Sequence, residues 1–361
     1  MTSRFSRRRF LATTGAVAGV AALGAPAIVR AADRKIKVGT YGGYFEGAFK
    51  EHIYPEFTKA TGIEVESVGV PTGETWLVQI RNAARAKKAP ADVSMMAGVP
   101  RLRGDAQGLF LYLDEAKLPN LSNLSERFQS RNDKGQLYGC GAVSWYITLC
   151  SNTKEIPEEP TSWAEIWDPK NENQLGLLAL ASNSYLLEIT AKTHFGGTDF
   201  LDTKEGIEKA FTKLTEVTPN VRLWYKDEGA FQQALQDGEI PMGQYYHDVT
   251  GLAAAEGFPV RSTFPKEGGV IDSGYWVVPK QAKPVEEAHV FIDYICQPSI
   301  QAALARNVGT APVVDRAKTD LTDAEFASVS SDIDPIVPKY QIYIDHADWI
   351  TDRWTQMISS S

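Results

Sequence analysis

Cysteine is scarce in this chain. Of 361 residues, only Cys140, Cys150 and Cys296 carry a thiol, and no CxxC, CxxCH or zinc-type Cys/His spacing occurs. Cys140 and Cys150 lie in one apolar stretch that reads as extended. Ten residues at ~3.3 Å each hold them about 33 Å apart, beyond the reach of a disulfide. The odd count leaves at least one thiol free, and all three read as small buried hydrophobes. Haem, iron–sulfur, flavin and nucleotide motifs are missing, as are GxSxG and a nucleophilic cysteine beside a usable histidine. Neither enzymatic activity nor a cofactor is therefore expected. The chain also lacks internal repeats, low-complexity segments, a proline-rich linker and any second long apolar run after the first 31 residues.

The composition that remains, 43% apolar and 23% charged, is that of a folded soluble chain, and 361 residues call for two globular units. The first 31 residues read as an export signal. Ser6-Arg7-Arg8-Arg9-Phe10-Leu11 is a basic segment, Ala12 to Val29 an apolar Gly/Ala-rich run, and Val29-Arg30-Ala31 a small-residue cleavage site. This pattern resembles a twin-arginine signal and implies a periplasmic mature protein. With no cysteine at the cleavage site, no lipid anchor is expected. Removing residues 1–31 takes away five arginines and no acids, leaving 32 basic against 45 acidic residues and a net charge of −13. An acidic surface repels nucleic acid and anionic headgroups.

The mature chain opens with the alternating segment Lys35 to Thr40, a strand, followed by the turn Tyr41-Gly42-Gly43-Tyr44. A helix follows that Pro55 should kink or restart, and Gly62 should cap it. Ile63–Val68 and Asp92–Met96 read as further strands, with a helix on Trp76, Leu77, Ile80 and Ala84 between them. Strand–helix alternation implies parallel pairing with helices outside. A second such set runs from about Trp145 to Phe264. It includes a capping box at Ser162 and Glu165, a buried strand from Leu175 to Leu180, and a strand from Ile240 to Tyr246. Tyr275–Val278 reads as a strand, and the tail from Asp315 as largely helical.

Four segments then carry a resemblance. They are Phe57-Thr58-Lys59-Ala60-Thr61-Gly62-Ile63-Glu64-Val65, Thr161-Ser162-Trp163-Ala164-Glu165-Ile166-Trp167, Pro265-Lys266-Glu267-Gly268-Gly269, and Ala288 to Gln301 with Gly309-Thr310-Ala311-Pro312. In order and spacing they resemble the periplasmic solute-binding proteins of ABC importers, of the spermidine/putrescine-binding type. The resemblance implies an α/β, two-lobed Venus-flytrap fold of type II with a ligand cleft between lobes. Crossings would fall near Ala142–Ser144, Pro265–Asp272 and Gly309–Val313. Residues 32–142 and 268–310 would form lobe 1, and residues 143–267 and 311–361 lobe 2. It also implies a monomer that hands its ligand to permease subunits in the inner membrane and their ATPase.

Within that family, Tyr41 and Tyr44 match the first aromatic pair, and Tyr246 matches a ligand-stacking tryptophan with Asp248 beside it. Gly42-Gly43 would bring backbone N–H groups to the ligand. The departures bear on the ligand. Two acids expected after the strand at Leu175 become Asn183 and Leu186, with Tyr185 between them. A Ser and a Tyr become Ala97 and Val99, with Arg101 nearby, and one acid is shifted to Asp272. An unpaired ammonium in a closed cleft costs several kcal/mol. A monocationic or zwitterionic amine is therefore expected over a long polyamine, on Tyr41, Tyr44, Arg101, Tyr185, Tyr246, Asp248 and Asp272. The alternative is ferric iron on Tyr245 and Tyr246, since phenolates beside His247 and Asp248 are hard donors.

Overall fold

The computed structural model describes residues 34–71 and 73–359; the export-signal expectation on residues 1–31 lies outside the described residues. Strands β1 (Lys35–Tyr41), β2 (Glu64–Val70) and β3 (Val93–Met96) pair in parallel, β1 in the middle. β4 (Gln129–Arg131) leads into the sixteen-residue β5 (Leu137–Asn152). β6 (Leu175–Leu178), β7 (Val221–Tyr225), β8 (Met242–Tyr246), β9 (Val260–Thr263) and β10 (Val270–Val277) complete a ten-stranded sheet, with the order β2-β1-β3-β10-β5-β8-β6-β7 along its main path.

β5 and β10 join two halves. β10 runs antiparallel to both β3 and β5, whereas the far end of β5 pairs with β8 and β9. β5 is buried almost throughout, which explains its run of apolar residues without alternation. The hydrophobic side chains divide accordingly. One core gathers residues from Ile36 to Tyr146 and from Ile271 to Val314. A second gathers residues from Ile147 to Val270 and the tail residues Ile336 to Met357, with a smaller cluster around Phe231 and Tyr245 beside it. The fold is α/β and two-lobed, with a cleft where the halves meet.

Local chemistry sets the element ends. Gly62 stops the first long helical segment at φ 70°, a left-handed conformation cheap for glycine, and its N–H donates to Thr58 O at 2.8 Å. Pro55 restarts this segment at the helix Tyr54–Thr61, after a wider π-turn over Phe49–Ile53. All three cysteines are buried and unpaired.

Two readings need correction. Ser162 does cap a helix, but it is a five-residue 3-10 turn over Trp163–Trp167, and Glu165 Oε1 accepts from Thr161 N–H instead of completing the box. The reason is tertiary. Ser162 Oγ donates to Glu267 Oε1 at 2.6 Å and Trp163 Nε1 donates to Gly268 O at 2.8 Å, so the Thr161–Trp167 and Pro265–Gly269 segments lock onto each other. The tail, in turn, is only partly helical. An irregular strap over residues 328–341 separates the helices Asp323–Ala327 and Ile342–Asp345, and bridges Val270 through Ile336.

Candidate functional site

Between the two halves lies a cleft of about 910 Å³. One wall comes from the end of β1, where Tyr41 is 6% exposed, and from the turn that follows. Gly43 turns the chain at φ 75°, so the next helix starts at once and Phe45 joins Tyr41 on the cleft wall. Tyr44 lies on the outer side, 63% exposed, and does not line the cleft. The N–H of Gly42 is also committed, donating to Val70 O at 3.1 Å, and is not free for a ligand.

After β3 the chain enters a helix, Gly98–Ala106. Its residues four apart share a face, so Val99 and Arg103 point into the cleft and Arg101 points away. Arg101 is buried, donates to Ser130 Oγ at 2.6 Å and Tyr138 Oη at 2.9 Å, and lies over the Tyr275 ring at 4.1 Å. It is committed to the first core and does not line the cleft. Arg103, which with Lys226 does line the cleft, pairs with Glu74.

The floor is built by the joining strands. Asp272 on β10 stands directly opposite Trp145 on β5, and cross-strand partners share a face. The Asp272 carboxylate accepts from Ser273 N–H at 2.8 Å and from Tyr340 Oη–H at 2.6 Å. The Tyr185 and Trp145 side chains lie near it and favour its charged form. Burial raises the Asp272 pKa, and these bonds oppose the rise. Tyr185 sits at φ 53°, a left-handed conformation between two helices that turns its ring inward, 6.3 Å from and nearly perpendicular to Tyr340.

The opposite wall comes from β8 and the helix His247–Ala255. Tyr245 and Tyr246 are neighbours on the strand, yet their rings lie 5.3 Å apart and both line the cleft. Tyr245 is 4% exposed, packs among Tyr225 and Phe231, and donates to Glu228 O at 3.1 Å. Tyr246 faces the cleft and donates to Glu228 Oε1 at 2.9 Å. Asp248 lines the same wall; its Oδ1 is buried without a hydrogen-bond partner, and burial pushes its pKa from 3.8 up to about 6.

This geometry counts against iron. Both tyrosine hydroxyls are engaged by Glu228, Tyr245 at its carbonyl at 3.1 Å and Tyr246 at its carboxylate at 2.9 Å. His247 is engaged through both nitrogens, by Ser262 Oγ at 2.9 Å and Ala327 O at 3.0 Å. Among the described residues, no group of three or more His, Cys, Asp or Glu side chains could hold a metal ion.

Of the expected site residues, Tyr41, Tyr185, Tyr246, Asp248 and Asp272 line one cleft, and Tyr44 and Arg101 do not. The sequence reading missed Phe45, Trp145, Glu228 and Tyr340. Trp145 could have been found, one residue beyond the expected crossing at Ala142–Ser144. Tyr340 carried no signal; it comes from the strap, and its ring lies so close to Gly98 that a Cβ there would sit 2.5 Å from it.

Comparison with known proteins agrees with this architecture. The family model described as bacterial extracellular solute-binding protein matches residues 53–330. The spermidine/putrescine-binding periplasmic protein of Salmonella typhimurium is 27% identical over 307 residues, covering 83% of each chain. The gamma-aminobutyric acid-binding protein of Pseudomonas aeruginosa is 25% identical over 294 residues, 80% of this chain and 79% of that one. Among solved structures, an ABC transporter substrate-binding protein from Bradyrhizobium japonicum matches with a TM-score of 0.75 at 23% identity, covering 90% of this chain and 99% of that chain.

Proposed function

Because this chain belongs to the bacterial extracellular solute-binding proteins, we propose that it captures a small monocationic or zwitterionic amine in the periplasm and delivers it to an ABC permease. The observation that carries the ligand class is Asp272, a carboxylate on the cleft floor surrounded by aromatic rings. A cation leaving water needs a counter-charge and polarisable faces, and this floor supplies both. Two relatives bind amines by name, spermidine or putrescine in one case and gamma-aminobutyric acid in the other. The second suits this cleft better. Asn183 and Leu186 stand where the polyamine-binding type is expected to place acids, and Leu186 is buried in the core.

We assign contact with the ligand to Tyr41, Tyr185, Tyr246 and Asp272, with Asp248 as a second carboxylate on the facing wall. Export by the twin-arginine route and action as a monomer belong to the same proposal. A thermal-shift screen against polyamines, ω-amino acids, betaines and neutral sugars tests it. A ligand at 100 times its Kd adds about 2.7 kcal/mol, a clear shift. Stabilisation by a small amine is expected. Tight spermidine binding would count against the ligand class, as would a chelator-sensitive visible band from bound iron.

A further inference from the structure

The cleft extends well beyond Asp272. At about 910 Å³ it stands near the top of the range that holds drug-sized ligands, and a short ω-amino acid on the floor would leave much of it unfilled. The rest runs along the C-terminal helix Ala347–Ser359. Ile350, Trp354 and Ile358 recur every four residues, so one face of that helix forms a wall. Val99 on the helix Gly98–Ala106 and Leu180, two residues past β6, complete an apolar lining. Leu180 is 50% exposed and leaves a large apolar surface open there. Polar groups at this end already have partners. Arg103 is paired with Glu74, Trp354 Nε1–H donates to Ala179 O at 2.9 Å, and Thr351 Oγ1–H donates to Ala347 O at 2.8 Å.

This groove is more than a gap between two open halves, because its sides already touch. The Tyr340 ring rests on Gly98, and Arg103 Nη2 donates to Tyr343 O at 3.4 Å. Both contacts tie the helix Gly98–Ala106 to the tail that carries the helix Ala347–Ser359, and so set the spacing of the walls. Apolar surface that enters such a groove leaves water, which favours binding without any directional contact.

From the apolar lining and its continuity with the amine site, we propose that this groove is a subsite for an apolar substituent of the ligand. The ligand is then an amine that carries an aromatic ring or a long alkyl chain. This rests on the assignment of Asp272 as the amine's counter-ion and specifies what that amine carries. Leu180 is a specificity-determining residue of the subsite.

Titration calorimetry on matched pairs tests the inference: butylamine against its ω-phenyl derivative, and gamma-aminobutyric acid against its β-phenyl derivative. Each buried methylene tightens binding about fourfold, so in at least one pair the phenyl-bearing member should bind at least about tenfold tighter. Leu180→Asn, at a half-exposed position, should cut that advantage about threefold or more and leave the unsubstituted member unchanged. Equal affinities within both pairs, or a phenyl advantage that Leu180→Asn leaves intact, overturn the subsite and leave the amine site standing. No binding by any of these amines, or binding that Asp272→Asn does not change, overturns both.

Discussion

Asp248, a carboxylate of the proposed site, is buried at the expense of the fold. In an unfolded chain it ionises near 3.8, and in the cleft wall near 6. Below pH 3.8 both states hold the proton and the residue is neutral to stability. Between the two values the folded form keeps a proton that the unfolded form has released. Above pH 6 the buried charge counts fully against folding, about 3 kcal/mol. Asp248→Asn should therefore melt higher than the parent at pH 7.5, by about 5 °C, and this gap should shrink by about half or more at pH 4.5. A pH-independent gap in calorimetric scans would refute the assignment. Arg101 and Tyr44, which do not line the cleft, show the limits of reading sites from sequence. Both stand at the right distance along the chain, but a helix turns about 100° per residue. Unless the helix start is known, its cleft-facing residues cannot be told from their neighbours.

At the scale of elements, the strap over residues 328–341 does what no single helix or strand could. Glu188, fully buried on the helix Leu186–His194, accepts from Lys339 N–H at 3.0 Å and from Tyr343 Oη–H at 2.8 Å. Those two anchors flank Tyr340, which reaches Asp272 while its ring rests on Gly98. A methyl group at residue 98 must displace that ring, so Gly98→Ala should weaken ligand binding about tenfold or more. Adding Tyr340→Ala removes the clash, and the two losses should then not add. Strictly additive losses in a double-mutant cycle would contradict the contact. The coupling of Trp163 to Gly268 is simpler: Trp163→Phe loses one buried hydrogen bond and should lower stability by about 1–2 kcal/mol in urea titrations. The strands with clear alternation or burial, such as β1, β6 and β8, were legible in the sequence, as was the Gly62 cap. The strap and the 3-10 turn at Trp163 were not, because distant partners such as Glu267, Glu188 and Asp272 determine them. Of the site, the aromatic and acidic residues near expected strand ends could be read, whereas Tyr340 becomes a site residue only once the tail has folded back.

Across the whole molecule, β5 and β10 form the shared floor on which the two cores meet, and Asp272 with Trp145 sits on that floor. Tyr41 comes from the first half of the sheet and Tyr246 from the second, so the proposed amine site draws on both. Binding should draw the halves together, and the radius of gyration in small-angle scattering should fall when ligand is added. An unchanged radius at saturation would argue against closure. The chain's net negative charge adds a weak, salt-screened attraction for cations but does not select among them. Selection belongs to the floor. Titration calorimetry of the wild-type protein and Asp272→Asn with the amine found by screening tests this most directly. The account predicts saturable one-site binding in the wild type and a loss of at least about 100-fold in the variant, as expected when a buried cation loses its counter-ion. Equal affinity in the two proteins would contradict it.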